Sequence, residues 1–162
     1  MKRTVMAVII SATMYAATAV AMTSCTWMED PLKTTEEKQE GPDIPSEGVL
    51  RVGDLIAGSF AGDTVWVKGF IVGGLREDGS VDFPCEGQVV GTAVVLADDA
   101  GCVDPDSCLV LRLTKNVHKE ALGLDKEAVR AATLHHGLYV RGKATTYKKY
   151  PALTNLSDYK LE

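Results

Sequence analysis

The longest run of β-branched and aromatic residues spans Thr64–Gly74, and it predicts a strand because it has no helical spacing. A half-buried strand would be apolar on one face only. Here Val65, Val67 and Ile71 share one parity, and the opposite parity is also largely apolar. Glycines within the run predict a bulge or bend. We therefore expect a long, bent strand that serves two parts of a small barrel.

Shorter apolar runs follow this stretch, separated by clusters of turn-forming residues. Before it, residues 49–57 predict a short strand or turn that runs into a brief helix. The spacing becomes helical over 124–134, where Asp125 is the predicted N-cap. The other predicted strands are 92–97, 108–113, 137–147 and 153–161.

The predicted order is three strands, one helix and two strands. This is the order of the OB-fold, a five-stranded Greek-key barrel with a helix between its third and fourth strands. The predicted fold class is therefore all-β with one helix. In that topology the first strand pairs antiparallel with the fourth, so we expect Lys68-Gly69 and Arg141-Gly142 to be counterparts on neighbouring strands.

The start of the chain has the order of a secretory signal, with a basic beginning, an apolar run over 5–20 and small residues before Cys25. A cysteine at that boundary is typical of a bacterial lipoprotein, in which Cys25 receives lipid and becomes the new N-terminus. The alternative is an ordinary signal that is cut after Ala19 or Ala21 and leaves Cys25 as a thiol.

Residues 26–48 are polar, charged and interrupted by proline, so they cannot offset their ordering entropy and predict a flexible spacer. The predicted organisation is a signal peptide over 1–24, the lipidated cysteine and tether over 25–48, and one folded domain over 49–162. This organisation predicts a cell-envelope protein, an outer-membrane lipoprotein that is periplasmic or surface-exposed.

Charge is distributed unevenly along the chain. Residues 26–108 contain five Lys and Arg against seventeen Asp and Glu, whereas residues 109–162 contain ten against five. The acidic balance of the mature chain argues against tight, non-specific binding to nucleic acid. It still allows a local basic face on the C-terminal half.

Three cysteines follow Cys25, and an exported chain permits disulfides. Cys102 and Cys108 flank a turn-rich loop and are the predicted pair. A bridge from Cys85 to Cys102 would need a loop to fold back, because a strand of roughly 30 Å separates them. Cys85 is then left as a small buried apolar residue.

A set of short motifs resembles a known family. In order and spacing they resemble OB-fold domains of unknown function in Bacteroidetes lipoproteins, whose members are often labelled as nucleic-acid-binding by fold analogy. The motifs are Trp66–Gly73, Val95–Asp98, Cys108–Leu113, Tyr139–Gly142, and Tyr147 with Pro151–Leu153 and Asn155–Tyr159.

Two positions depart from that family pattern. Ala152 stands where the family tends to have glycine, and Lys148-Lys149 stand where it has a Phe-Gly-like pair. The second departure places two charges in the loop between the fourth and fifth strands.

In Bacteroidetes lipoproteins, an acidic pair such as Glu29-Asp30 resembles a surface-export signal, although it also suits the first charges of a solvated tether.

The candidate binding residues combine aromatic and basic side chains. OB-folds bind oligonucleotides or oligosaccharides through the face of strands two and three and the loops after strands one and four. Aromatic rings stack on bases or sugars, while Lys and Arg contact phosphates. The alternative is that the aromatic residues are packed and the lysines solvated. The candidates are Trp66, Lys68 and Phe70 on strand one, Tyr139, Arg141 and Lys143 on strand four, and Tyr147, Lys148, Lys149 and Tyr150 in the following loop.

Other groups suggest less chemistry. The acidic loop over 98–106 offers oxygen ligands for calcium, but its spacing is better explained by a plain turn. His118, His135 and His136 lack zinc-site spacing with the cysteines. We expect no metal and no cofactor. Because no nucleophile elbow, phosphate loop or zinc-protease motif is present, we predict a non-enzyme.

These patterns predict a lipid-anchored binding module of the cell envelope that recognises an oligosaccharide or an oligonucleotide. Its expected partners are the membrane, through the lipid anchor, and a glycan or single-stranded nucleic acid. The alternative is an accessory subunit of an outer-membrane protein complex, with a protein partner and no small ligand.

Overall fold

The computed structural model describes residues 41–162. The predicted signal peptide, Cys25 and most of the predicted tether lie outside these residues. No helix in the described part is long and apolar enough to cross a membrane. Its elements are β1 Val49–Arg51, α1 Val52–Ala57, β2 Thr64–Leu75, β3 Val81–Asp82, β4 Ala93–Ala97, a 3-10 helix Pro105–Ser107, β5 Leu109–Arg112, α2 Asn116–Leu122, α3 Glu127–Thr133, β6 Gly137–Tyr147 and β7 Tyr150–Leu161.

Five strands close on themselves. Along the sheet the order runs β2, β4, β5, β7, β6, and β6 then pairs with β2. The β5–β7 pair is parallel and the other four pairs of this circuit are antiparallel. The short β1 adds to β2 in parallel, and the two-residue β3 pairs with the end of β2. The predicted β class with few helices is confirmed, as is the antiparallel pairing of the long strand with residues 137–143.

The long strand bends where it changes partners. Residues 64–70 of β2 pair with β6, and the register shifts between Ile71 and Gly73 as the strand continues beside β4. Gly69 lies just before the point where β4 begins to pair with β2. A Cβ on Gly69 would stand 2.8 Å from Val52 Cγ2 and 3.0 Å from the carbonyl oxygen of Ala97. The predicted bend therefore exists, and glycine is needed there because the neighbouring chain approaches so closely.

The two faces of the sheet carry separate apolar clusters. The first contains Val67, Ile71 and Val140 together with side chains from α1 and α2. The second contains Val72, on the opposite parity of β2, together with Val95, Val110, Ala152 and Tyr150, and Phe70 packs against it. This double burial explains why the long strand is apolar on both faces.

The predicted single helix is wrong in its bounds and its cap. The described part has α2 and α3 in its place, and α2 ends where the N–H of Gly123 bonds to Lys119 O. Lys126, rather than Asp125, occupies the N-cap of α3 and makes no side-chain cap bond. The carboxylate of Asp125 instead lies against Gly91, where an added Cβ would stand 2.3 Å from Asp125 Oδ1. Asp125 therefore contacts the loop that contains Gly91 instead of capping α3.

The predicted register and the last strand also need correction. Lys68 lies opposite Tyr139, and Arg141 lies opposite Trp66, so the two dipeptides are on adjacent strands but are not directly paired. The last strand begins at Tyr150 rather than at residue 153. The turn before it is consequently short, with the left-handed Lys148 at φ 56°.

Candidate functional site

The predicted site residues divide between two places. Trp66, Lys68, Tyr139 and Arg141 lie on one face of the β2–β6 pair, which we call the strand face. Lys68 Nζ donates to Tyr139 Oη at 2.8 Å and lies 3.2 Å from a carboxylate oxygen of Glu162. The pKa of Lys68 is raised, first by the hydrogen bond with Tyr139 and then by the one with Glu162.

The charges of the strand face are largely paired. The Arg141 guanidinium lies 4.0 Å from the carboxylate of Asp158, and Lys68 is paired with Glu162. A cavity of about 380 Å³ lies beside Lys68 and Tyr139 and is also lined by Glu162 and by residues 44–46. Lys68 and Arg141 therefore have carboxylate partners, whereas the exposed Lys160 also lines this cavity. Lys143 is exposed at the far end of the same pair, opposite Thr64.

The remaining candidates lie in the β6–β7 turn, which meets the turn after β2. Lys148 Nζ donates to the carbonyl oxygen of Glu77 at 2.9 Å. A Cβ on Gly79 would stand 2.5 Å from Lys148 Cδ, so the lysine stem lies directly on that glycine. We call residues 76–80 and 147–150 the loop junction. A cavity of about 370 Å³ is lined by both of its halves.

The two tyrosines of the loop junction play different parts. Tyr150 is only 4% exposed and belongs to the second apolar cluster, so it is a packing residue. Tyr147 is half-buried against that cluster, with the Arg112 guanidinium 5.0 Å from its ring centroid. Lys149 is exposed, and its Nζ lies 5.2 Å from the Tyr150 ring centroid. Tyr147 and Lys149 are thus the accessible aromatic and basic groups of the junction. Phe70, like Tyr150, packs in the second cluster.

A larger cavity continues from the loop junction towards α3. Its volume is about 710 Å³, and residues from the β2–β4 connection and the α2–α3 connection line it. Arg76 is held by Asp82, with Nη2 3.1 Å from the carboxylate, and Arg130 donates to the carbonyl oxygen of Cys85. Charged and amide side chains on its wall are Arg76, Glu77, Asp78, Gln88, Asp125 and Arg130.

Sequence reasoning missed this cavity because its residues come from three separate segments. The signal that could have found it was the polar turn over 76–80, which follows the longest strand. There the Asp78 carboxylate accepts from both the backbone N–H and the hydroxyl of Ser80, and these bonds lower the pKa of Asp78. The cavity wall therefore carries hydrogen-bond donors, acceptors and charges of both signs.

The acidic loop over 98–106 serves the fold. Both oxygens of Asp98 accept from α1, one from the N–H of Val52 and one from the N–H of Gly53, each at 2.8 Å. Asp104 accepts from the Asp106 N–H and the Ser107 hydroxyl, in a local turn. Within residues 41–162, no group of three or more His, Cys, Asp or Glu residues is placed to hold a metal ion.

Among residues 41–162, Cys85, Cys102 and Cys108 are thiols with no disulfide between them. The pairing of Cys102 with Cys108 stays a prediction. Cys108 and Cys102 nevertheless lie close together, since both sulfur atoms are near the carbonyl oxygen of Asp104. Burial raises the pKa of Cys108 to about 12, and the neighbouring Cys102 adds to this shift.

Residues 50–162 match a protein family described as a domain of unknown function, DUF6359. The chain belongs to this family. The DUF6359 region begins in β1 and runs to the last residue, so the strand face, the loop junction and the larger cavity all lie within it. No curated protein matches the chain.

Two solved structures show distant likeness to the DUF6359 chain. One is a putative aspartyl-tRNA synthetase from Leishmania major Friedlin, with a TM-score of 0.40 and 11% identity; 75% of the chain is covered, and the chain spans 22% of that protein. The other is the telomere capping protein Ten1 from Saccharomyces pombe, with a TM-score of 0.34 and 9% identity over 68% of the chain and 79% of Ten1. Similarity this low carries no argument about function.

Proposed function

We propose that the DUF6359 barrel is an OB-fold and that its ligand binds at the loop junction. The strand circuit and the position of α2 and α3, between β5 and β6, support this assignment. In an OB-fold the loops after the first and fourth barrel strands form the ligand site. Here those loops are the segments after β2 and β6, which supply the two halves of the junction.

The observation that carries the proposal is the hydrogen bond from Lys148 to Glu77, because it joins these two loops. Beside it, the half-buried Tyr147 keeps part of its ring accessible for apolar contact, with the Arg112 guanidinium 5.0 Å from its centroid, and Lys149 offers an exposed cation. The larger cavity extends the same surface with groups that donate and accept hydrogen bonds. Together these features suit an extended ligand with a flat apolar face and many polar groups.

An oligosaccharide fits this surface better than an oligonucleotide. Glu77, Asp78 and Asp125 line the larger cavity and would repel a string of phosphates. Sugar hydroxyl groups both donate and accept, so they can bond to carboxylates, guanidinium groups and the Gln88 amide alike. A sugar ring also stacks on an aromatic side chain such as that of Tyr147. The proposed molecule is therefore a non-catalytic oligosaccharide-binding module.

We further propose that the mature protein is a Bacteroidetes lipoprotein, anchored in the outer membrane through Cys25. The order of charges, apolar residues and cysteine at the start of the chain supports this address. The polar stretch before β1 would then give the barrel reach from the membrane.

The proposal is tested by titrating the detergent-extracted, full-length protein with a panel of neutral oligosaccharides and with single-stranded oligonucleotides at one fixed salt concentration. We expect a saccharide to bind, and Tyr147→Ala to weaken that binding about tenfold or more, in the range seen when a stacking ring is removed. Tyr139→Ala, the same change on the strand face, is the matched control and should leave the affinity unchanged. Preferential binding of oligonucleotides, or loss of saccharide binding in Tyr139→Ala alone, would contradict the proposal.

A further inference from the structure

Cys102 and Cys108 are arranged around one backbone atom. Cys102 Sγ lies 3.8 Å and Cys108 Sγ lies 3.1 Å from the carbonyl oxygen of Asp104. The distance between the two sulfur atoms therefore cannot exceed the sum of these lengths. Cys102 is also close enough to contribute to the raised pKa of Cys108. A rearrangement of the loop between them would join the sulfurs.

The two thiols differ in access. Cys102 is partly exposed and lines a cavity of about 330 Å³, together with Ile56 of α1 and Ser107 of the loop. Cys108 is fully buried in the second apolar cluster. A small reagent in solution can therefore react with Cys102, whereas the buried Cys108 is not directly accessible to it. Cys85 is not part of this arrangement, since it is buried in the first cluster with its sulfur 3.7 Å from Asp82 O.

We propose that Cys102 and Cys108 form a modification site at which a low-molecular-weight disulfide oxidises the two thiols to an intramolecular bond. The Cys102 thiolate attacks one sulfur of the reagent, whose S–S bond breaks and releases the first thiolate. The Cys108 thiolate then attacks the Cys102 sulfur of the mixed disulfide and releases the second thiolate. Two electrons pass to the reagent, and the two protons lost by the cysteines are taken up by its two thiolates.

The environment of Cys108 controls the rate of the second step, in which Cys108 attacks the mixed disulfide. Its pKa of about 12 leaves little thiolate at neutral pH, so ring closure should accelerate as the pH rises. The product closes a short ring around Asp104 and the 3-10 helix Pro105–Ser107. The same loop begins with Asp98, which accepts hydrogen bonds from the N-terminus of α1. Oxidation would therefore restrict the movement of the loop that holds this helix.

The test treats the reduced full-length protein with oxidised glutathione and then maps, without reduction, the peptides made by a protease that cleaves before Asp, because this cleavage separates Cys85, Cys102 and Cys108. We expect two of the thiols at 85, 102 and 108 to be lost together and a peptide linking 102 to 108 to appear. Cys85→Ser is the matched control and should give the same linked peptide. Cys108→Ala should stop at a stable glutathione adduct on Cys102, and Cys102→Ser should lose neither thiol.

Three outcomes would overturn the proposal. The first is a glutathione adduct on Cys102 that persists in the unsubstituted protein at pH 9. The second is a linked peptide that contains Cys85. The third is full retention of both thiols under conditions that oxidise a small dithiol. None of these readouts depends on the ligand of the loop junction, so the inference stands or falls separately from the proposed function.

Discussion

Lys148 reaches from the β6–β7 turn to the turn after β2, where its Nζ donates to the carbonyl oxygen of Glu77 at 2.9 Å. The bond joins segments 71 residues apart in the chain. The lysine stem lies over Gly79, which has a φ of 87°. A charged side chain thus fixes the relative position of two loops, and leaves the neighbouring Lys149 exposed.

The exposed cation can be separated from the structural one. Lys149→Ala should lower affinity for the saccharide ligand several-fold with little change in Tm, because Lys149 is exposed and its contact with the face of Tyr150 is a weak one. Lys143→Ala, an exposed lysine on the strand face, is the control and should affect neither quantity. Isothermal titration and thermal denaturation measure the two effects. Equal affinity in both variants would exclude Lys149 from the site.

Gly79 should be needed for the close approach of Lys148. Gly79→Ala forces a Cβ to within 2.5 Å of Lys148 Cδ and also strains a positive φ, so we expect a loss of about 1–2 kcal/mol in the free energy of unfolding and weaker ligand binding. Gly62→Ala is the matched control, since Gly62 has a φ of 95° but open space around it. Chemical denaturation of the two variants isolates the steric part. Indistinguishable effects on binding would show that the Lys148 contact does not shape the site.

Asp98 should stabilise the fold by holding α1. Asp98→Ala removes the acceptor for two backbone N–H groups, those of Val52 and Gly53, and we expect a loss of about 1 kcal/mol or more in the free energy of unfolding. Asp99→Ala is the natural comparison, because Asp99 accepts only from the nearby Gly101 N–H and should cost less. Urea denaturation followed by circular dichroism measures both. A smaller loss for Asp98→Ala than for Asp99→Ala would contradict the assignment.

His118 should make stability depend on pH. Its side chain is 3% exposed, its Nδ1 has no hydrogen-bond partner among residues 41–162, and its ring meets Tyr159 edge-on with centroids 5.6 Å apart. Burial, and secondly the charge of Lys115, lower its pKa from the ordinary value of 6.5. Well above pH 6.5 the ring is neutral in both states and contributes no pH dependence to stability. As the pH falls below 6.5 the unfolded chain takes up the proton first, so stability decreases until the lowered pKa of the folded state is reached.

This pH effect can be assigned to the one residue. The Tm of the unsubstituted protein should fall from pH 7 to pH 5 more steeply than that of His118→Gln, which cannot titrate in that range. Parallel Tm curves for the unsubstituted protein and His118→Gln would remove His118 as the cause.

The sequence predicted strands well where side-chain parity decides them. The strand over 137–147 has the predicted bounds, and Val65, Val67 and Ile71 all face the first apolar cluster as their shared parity required. The prediction from sequence was wrong where a side chain contacts a segment that is distant in the chain. Asp125 satisfied every local condition for an N-cap but lies against Gly91. Local preferences cannot reveal an approach that only the folded chain creates.

The candidate site was predicted in part, for the same reason. Aromatic and basic composition marked Tyr147 and Lys149, but also Phe70 and Tyr150, which pack in the second apolar cluster. Composition does not distinguish an accessible ring from a packed one. Arg76 and Arg130 were missed because they meet around the larger cavity only once the β2–β4 connection lies beside α3.

The closure of β2 on β6 has a consequence for how the chain reaches this state. The ladder from Thr64–Lys143 to Phe70–Gly137 joins an early strand of the domain to a late one, so it can form only after nearly the whole domain has been synthesised. Contacts between such distant segments make folding slow. Until then one edge of the most apolar strand remains unpaired and open to other chains. Assembly of this barrel is thus effectively all-or-none, and a chaperone that covers residues 64–70 until β6 pairs would protect the segment most exposed to aggregation.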